Sequence, residues 1–144
     1  MTAPIPRRDF VQMSACAVLA GGLGGCASLV TVPVESRGGR LRVMIRNHPQ
    51  LAAPGGFLRI QPPSDTPHLL VLALEGDDYA VVSPVCTHRQ CITDVAGPRI
   101  VCPCHGSDYD RTGEVVKGPA ERALTRFPAE VSSDGELVIQ YGAR

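Results

Sequence analysis

The chain has 144 residues, with 14 Lys+Arg against 14 Asp+Glu, a length that fits one domain plus an N-terminal extra. Flat charge and 4% aromatics without Trp exclude a basic nucleic-acid footprint and a base-stacking platform, and 44% hydrophobic residues exclude global disorder. Gly (15) and Pro (13) occur without a period, which excludes collagen and suggests many loops, so the informative count is six Cys and four His in a small protein.

At the start, Arg7-Arg8-Asp9-Phe10-Val11 leads into an apolar stretch that runs to Val32. A positive region followed by an apolar one is the layout of an export signal, and the arginine pair resembles a twin-arginine signal. Gly21, Gly22, Gly24 and Gly25 would weaken a core helix here, which argues against a buried element. Three fates are open for this segment, expected over residues 1–27. Leu23-Gly24-Gly25-Cys26 resembles a lipobox, in which Cys26 would be lipidated. Its small residues also permit ordinary cleavage, and Ala15 to Val32 could span a thinned bilayer uncleaved. Each fate places the rest of the chain on the periplasmic side of a bacterial membrane. Cys16 lies inside the apolar stretch and is expected to be inert.

Residues 28–144 read as short apolar runs broken by turn residues. Strands are expected at Leu29–Val32, Leu41–Ile45, Phe57–Ile60, His68–Leu74, Tyr79–Val82, Arg99–Val101, Glu114–Val116 and Leu137–Ile139. Pro54-Gly55-Gly56, Pro62-Pro63, Gly76-Asp77 and Ser133-Asp134-Gly135 separate them. No segment sustains a helical period, so the fold class is all-β, a sandwich or barrel of antiparallel sheets. A loop-rich domain of this size gains from covalent or metal staples.

Four Cys and two His supply such staples in two segments, Cys86-Thr87-His88-Arg89-Gln90-Cys91 and Cys102-Pro103-Cys104-His105-Gly106-Ser107. A structural zinc could take C-x-H and C-x-x-H, leaving two thiols over. An all-thiolate iron–sulfur cluster could take four Cys, leaving both His without a purpose and matching neither ferredoxin spacing. Mixed ligation of a two-iron cluster by two Cys and two His uses both imidazoles.

The pair C-T-H-x-x-C and C-P-C-H-G-S resembles the Rieske family, and Asp108-Tyr109-Asp110, Gly113 and Lys117-Gly118-Pro119-Ala120 extend the match. The resemblance implies a base of antiparallel strands carrying an inserted cluster-binding unit at about residues 84–120. It implies one [2Fe–2S] cluster per chain, with Cys86, His88, Cys102 and His105 as ligands and Cys91–Cys104 as a disulfide. Oxygenase-associated Rieske ferredoxins usually lack that bridge, whereas the cytochrome bc type has it, and an exported domain would keep it oxidised. Twin-arginine export carries folded proteins, so signal and cluster are mutually consistent. Ser107 and Tyr109 occupy positions whose hydroxyls, in high-potential members, donate to a bridging sulfide and to a ligand Cys sulfur. Imidazoles replacing two thiolates raise the potential to about −150 to +300 mV, from about −400 mV in plant-type ferredoxins.

The sequence departs from the family at two places. Arg89-Gln90 replaces the usual Leu-Gly beside the first ligand His, which favours docking on an acidic or polar surface over an apolar quinol pocket. Glu121 stands where a second Pro is common in the loop shielding the cluster. His48 and His68 read as surface or turn residues, and Asp94, Asp108 and Asp110 as turn formers. The expected function is an exported, membrane-tethered one-electron carrier rather than a complete enzyme. Its redox partner would be a cytochrome c, a cytochrome b complex or a molybdoenzyme subunit. The alternatives are the Rieske subunit of a quinol–cytochrome c reductase, with quinol as donor, or of an arsenite-oxidase-like molybdoenzyme.

Overall fold

The computed structural model describes residues 31–64 and 67–142. The expectations for residues 1–27, Cys16 and Cys26 included, lie outside them. Twelve strands run in chain order: β1 (Thr31–Pro33), β2 (Ser36–Arg37), β3 (Arg40–Met44), β4 (Phe57–Gln61), β5 (Leu69–Ala73), β6 (Tyr79–Val82), β7 (Asp94–Ala96), β8 (Arg99–Val101), β9 (Asp108–Tyr109), β10 (Val115–Lys117), β11 (Ala129–Val131) and β12 (Glu136–Gln140). They form three four-stranded sheets, ordered β1-β4-β5-β6, β11-β12-β3-β2 and β10-β9-β8-β7. The pairing of β1 with β4 is parallel and the others are antiparallel. Among the described residues only single 3-10 turns interrupt the strands, and no helix is long and apolar enough to cross a membrane. The chain is all-β, as expected.

The central strand β5, Leu-Leu-Val-Leu-Ala, is buried at every position. Side chains alternate across a strand, so Leu69, Val71 and Ala73 pack with Leu41, Val43, Leu58, Ile60, Val81, Leu137 and Ile139 on one side. Leu70 and Leu72 face the other way, onto Ala80, Val82, Cys86, Ile100, Cys102, Tyr109, Ala120 and Leu124. The first cluster joins the base sheets, and the second lies under the two Cys–His segments. An uninterrupted apolar run is the pattern of a strand covered on both faces.

Two arginines strap the third sheet to the base. Arg59 of β4 is 9% exposed, pairs with the Asp94 carboxylate of β7, and lies 5.5 Å over the Phe57 ring. Arg111 donates to the carbonyls of Gly56 (2.6 Å) and Gly97 (2.9 Å). Asp94 therefore sits in a strand and an ion pair, and Asp108 begins β9, which corrects the expectation that both are turn formers. Each carboxylate lies next to a strand pairing that its flanking sequence does not disclose. Asp110 does build a turn: its Oδ1 accepts the Thr112 N–H (2.8 Å), the Thr112 hydroxyl (2.8 Å) and the Glu114 N–H (3.1 Å). His68 precedes β5, half-buried, with its Nε2 enclosed and without a hydrogen-bond partner. Burial, then the nearby Arg59, lower its pKa against the opposing pull of Asp94.

Gly113 closes the Asp110 turn at φ +91°, where an added Cβ would lie 3.1 Å from Val82 Cγ1 and 3.3 Å from Leu124 Cβ. Gly97, at φ +57°, has open space around it. Left-handed backbone costs an L-residue about 1–2 kcal/mol. Gly97→Ala is expected to lose about that much in urea denaturation, and Gly113→Ala measurably more. Burial pushes the Asp110 carboxyl up, but the three donors outweigh it and hold its pKa below the ordinary value of 3.8. A depressed carboxylate stabilises above the unfolded-state pKa and loses that contribution as pH falls through the folded one. The stability advantage of the wild type over Asp110→Asn should therefore shrink in urea melts below about pH 4.

Candidate metal centre

The two Cys–His segments fold into loops of the same design. Cys86 N–H donates to the Cys91 carbonyl (2.8 Å) while Gln90 N–H donates to the Cys86 carbonyl (2.8 Å). In the second loop Cys102 N–H donates to the Ser107 carbonyl (2.8 Å) and Gly106 N–H to the Cys102 carbonyl (3.0 Å). Each loop thus closes on itself after five residues, and the fourth residue past its first cysteine turns left-handed: Gln90 at φ 59° and Gly106 at φ 74°. Glycine fits that place in the second loop. Gln90 meets the same demand in the first, at the strain a side chain incurs there.

The loops present two sulfurs inward and two rings outward. Cys86 (0% exposed) and Cys102 (1%) are buried free thiols at the start of their loops. His88 and His105 lie further along, ring centroids 4.9 Å apart and planes at 87°, with His105 exposed. Cys91 and Cys104 are joined by a disulfide with Cα atoms 6.5 Å apart. The Cys102 sulfur lies within 4.8 Å of both bridged sulfurs, but those two are bonded to each other, so the three make no thiolate metal site.

A network of hydroxyls surrounds the buried thiols. The Tyr109 hydroxyl is 3.2 Å from Cys86 Sγ, accepts the Thr87 N–H at 3.2 Å and lies 3.1 Å from Thr87 Oγ1. Thr87 Oγ1 donates its own proton to the Arg122 carbonyl at 2.6 Å. The Tyr109 proton can therefore go to the sulfur or to Thr87, and a thiolate at Cys86 attracts it more strongly. Burial opposes ionisation of Cys86, but the Tyr109 hydroxyl, the N–H groups of His88 and Arg89 and the Cys102 side chain outweigh it and lower its pKa. Burial and the neighbouring sulfur raise the pKa of Tyr109, which keeps it a donor. Ser107 is fully buried, and its Oγ accepts the Ala120 N–H at 3.0 Å. The loop at 117–122 is thus pinned to the first loop by Thr87 and to the second by Ser107. A recess of about 360 Å³ beside His88 is lined by Thr87, Pro119, Glu121 and Arg122.

The residues present suit a two-iron cluster. His88 Nδ1 is buried without a hydrogen-bond partner. An enclosed ring nitrogen with nothing to bond is costly unless a metal takes it. Two buried thiols and a second imidazole stand beside it, and every other sulfur in the loops is used by the bridge. Sequence reasoning singled out all of these residues but assigned no role to Thr87, which it carried only as a letter of the C-T-H-x-x-C motif.

These features define a protein of the all-β iron–sulfur class. The Rieske [2Fe-2S] domain model matches residues 43–128, and the chain belongs to that family, whose domain binds a [2Fe–2S] cluster. It is 46% identical over 60 residues to the cytochrome b6-f complex iron-sulfur subunit of Synechococcus elongatus, covering 40% of this chain and 33% of that one. The Prochlorococcus marinus counterpart is 38% identical over 79 residues, 52% of this chain and 44% of the relative. The chain spans only a third to a half of the length of these curated relatives. Among solved structures, the cyanobacterial plasma membrane Rieske protein PetC3 from Synechocystis PCC 6803 superposes with a TM-score of 0.54 at 30% identity, over 64% of this chain and 92% of that one.

Gln90→Gly should remove the left-handed strain in the first loop without altering its hydrogen bonds. It is expected to stabilise the protein by about 0.5–1 kcal/mol, read as a higher Tm in thermal denaturation.

Proposed function

We propose that Cys86 and Cys102 hold one iron and His88 and His105 the other, with His88 bonding through Nδ1, and that Ser107 and Tyr109 tune the potential upward. The observation that carries this is the adjacency of two buried free thiols to a histidine pair, one ring nitrogen of which is enclosed and unpartnered. The cluster, when bound, supplies reversible one-electron transfer. The protein's own part is to position and insulate. Tyr109 gives a hydrogen bond to the Cys86 sulfur, which favours the more electron-rich reduced state. Ser107 accepts from Ala120, so its own proton remains available to a sulfide beside Cys102. The disulfide holds the two loops in register, and the loop at 117–122 screens the sulfurs from water while His105 stays exposed for electron exchange.

The domain acts on the periplasmic side of a bacterial membrane, exported by the signal at residues 1–27 and tethered there, with Cys26 as the lipidation site. Its partner is a component of a cytochrome complex, a reading supported by relatives that are cytochrome b6-f iron-sulfur subunits. Tethering is supported by the likeness to a protein described as a plasma membrane Rieske protein.

Electron paramagnetic resonance and redox titration of the cluster-loaded protein test the assignment. Tyr109→Phe and Ser107→Ala should each lower the midpoint potential while keeping the reduced-state signal. An unchanged midpoint in either removes that residue's role. Recovery of zinc, or of iron without acid-labile sulfide, removes the ligand assignment.

A further inference from the structure

The exposed rim around the histidine pair carries two arginines that form no ion pair among the described residues. Arg89 follows His88 directly and is exposed, and Arg122, also exposed, lines the recess beside His88. Neither makes an ion pair among the described residues, whereas Arg37, Arg42, Arg59 and Arg126 each do. Glu121 is the one acidic residue lining that recess. Lys117, at the base of the loop, stands opposite Asp108 in the backbone register of β9 and β10, so these two charges are balanced locally without an ion pair. The rim is therefore net positive on a chain whose total is 14 basic against 14 acidic residues. Two ferric ions, two sulfides and two thiolates sum to zero charge, so the oxidised centre does not neutralise the arginines.

We propose that this rim is the docking surface for an acidic electron-transfer protein, one whose own redox centre is flanked by carboxylates that meet Arg89 and Arg122. The inference rests on His88 and His105 being the outer ligands of the cluster. Electron exchange through them requires close approach, and close approach strips water from Arg89. Desolvating an unpaired guanidinium against an apolar pocket is costly, whereas a facing carboxylate offsets the loss and steers encounter from a distance. An anionic lipid surface would match the charge, but it would cover the histidines through which a protein partner exchanges electrons.

The test uses small oxidants of opposite charge in place of the partner: the reduced, cluster-loaded protein is mixed in stopped flow with ferricyanide or with tris(phenanthroline)cobalt(III). In Arg89→Glu and in Arg122→Glu, the ratio of the ferricyanide rate to the cobalt rate should fall at least about fivefold at low salt. The difference should close as salt rises from about 0.01 M to about 0.1 M, where the screening length contracts from about 30 to about 10 Å. Arg46→Glu makes the same charge change at an exposed, unpaired arginine on the turn after β3 and should leave the ratio within about twofold. An equal fall in Arg46→Glu would show an effect of net charge alone and overturn the proposal, as would no fall in either rim variant. Co-sedimentation of the wild type with phosphatidylglycerol vesicles, lost in Arg89→Glu, would overturn it in favour of a lipid surface. Reduced protein that neither oxidant reoxidises would instead overturn the electron-carrier reading on which it rests.

Discussion

The two Cys–His loops are joined covalently at one point, the bond between Cys91 and Cys104. The two Cys–His loops lie in different parts of the chain, one leaving β6 and the other joining β8 to β9, and each is closed only by its own backbone. Nothing in those internal hydrogen bonds sets the distance from one loop to the other. The disulfide ties them covalently, and Tyr109, on the strand after the second loop, meets Cys86 and Thr87 of the first and packs with both buried thiols. A link across a separation of 13 residues restricts the unfolded chain by an amount worth about 3 kcal/mol. The bond also lies where the two buried thiols and the two imidazoles of separate loops come together.

Around this link the hydrogen-bonding capacity is closely used. Tyr109 reaches Cys86 from beneath, Thr87 supplies its N–H to Tyr109 and sends its hydroxyl proton to Arg122, and Ser107 receives Ala120. The third loop is therefore hung on the other two by Thr87 and Ser107, and Thr87 also holds the Tyr109 hydroxyl that meets the Cys86 sulfur. A change at Thr87 would loosen the cover and redirect the Tyr109 proton together. Buried polar networks of this kind are coupled, so their members' effects should not add.

Legibility from sequence followed the range of each interaction. The strands rich in Val, Ile and Leu were visible because they carry their own period or an unbroken apolar run, and β5 is the clearest case. The short strands β2, β7, β9 and β11 were not, since two or three residues such as Ser36–Arg37 or Asp108–Tyr109 hold no pattern and exist through their neighbours' pairing. The thiols, histidines and bridge cysteines were legible through chemistry and family likeness. The Arg59–Asp94 strap and the service of Thr87 to Tyr109 were not, because each joins residues distant in sequence whose types are common everywhere. Gln90 stood out as a departure from the family's glycine, but its left-handed backbone became visible only beside the matching loop.

The doubly covered strand β5 has a consequence for how such a molecule can vary. It works as a party wall: alternate positions along one strand belong to two different interiors. Exchanges among Val71, Leu137 and Ile139 are negotiated within the base, while exchanges among Leu70, Ile100 and Tyr109 are negotiated within the redox half. Lineages could remodel the base for new tethers or neighbours and leave the electron-carrying half undisturbed, provided that one shared partition keeps its shape.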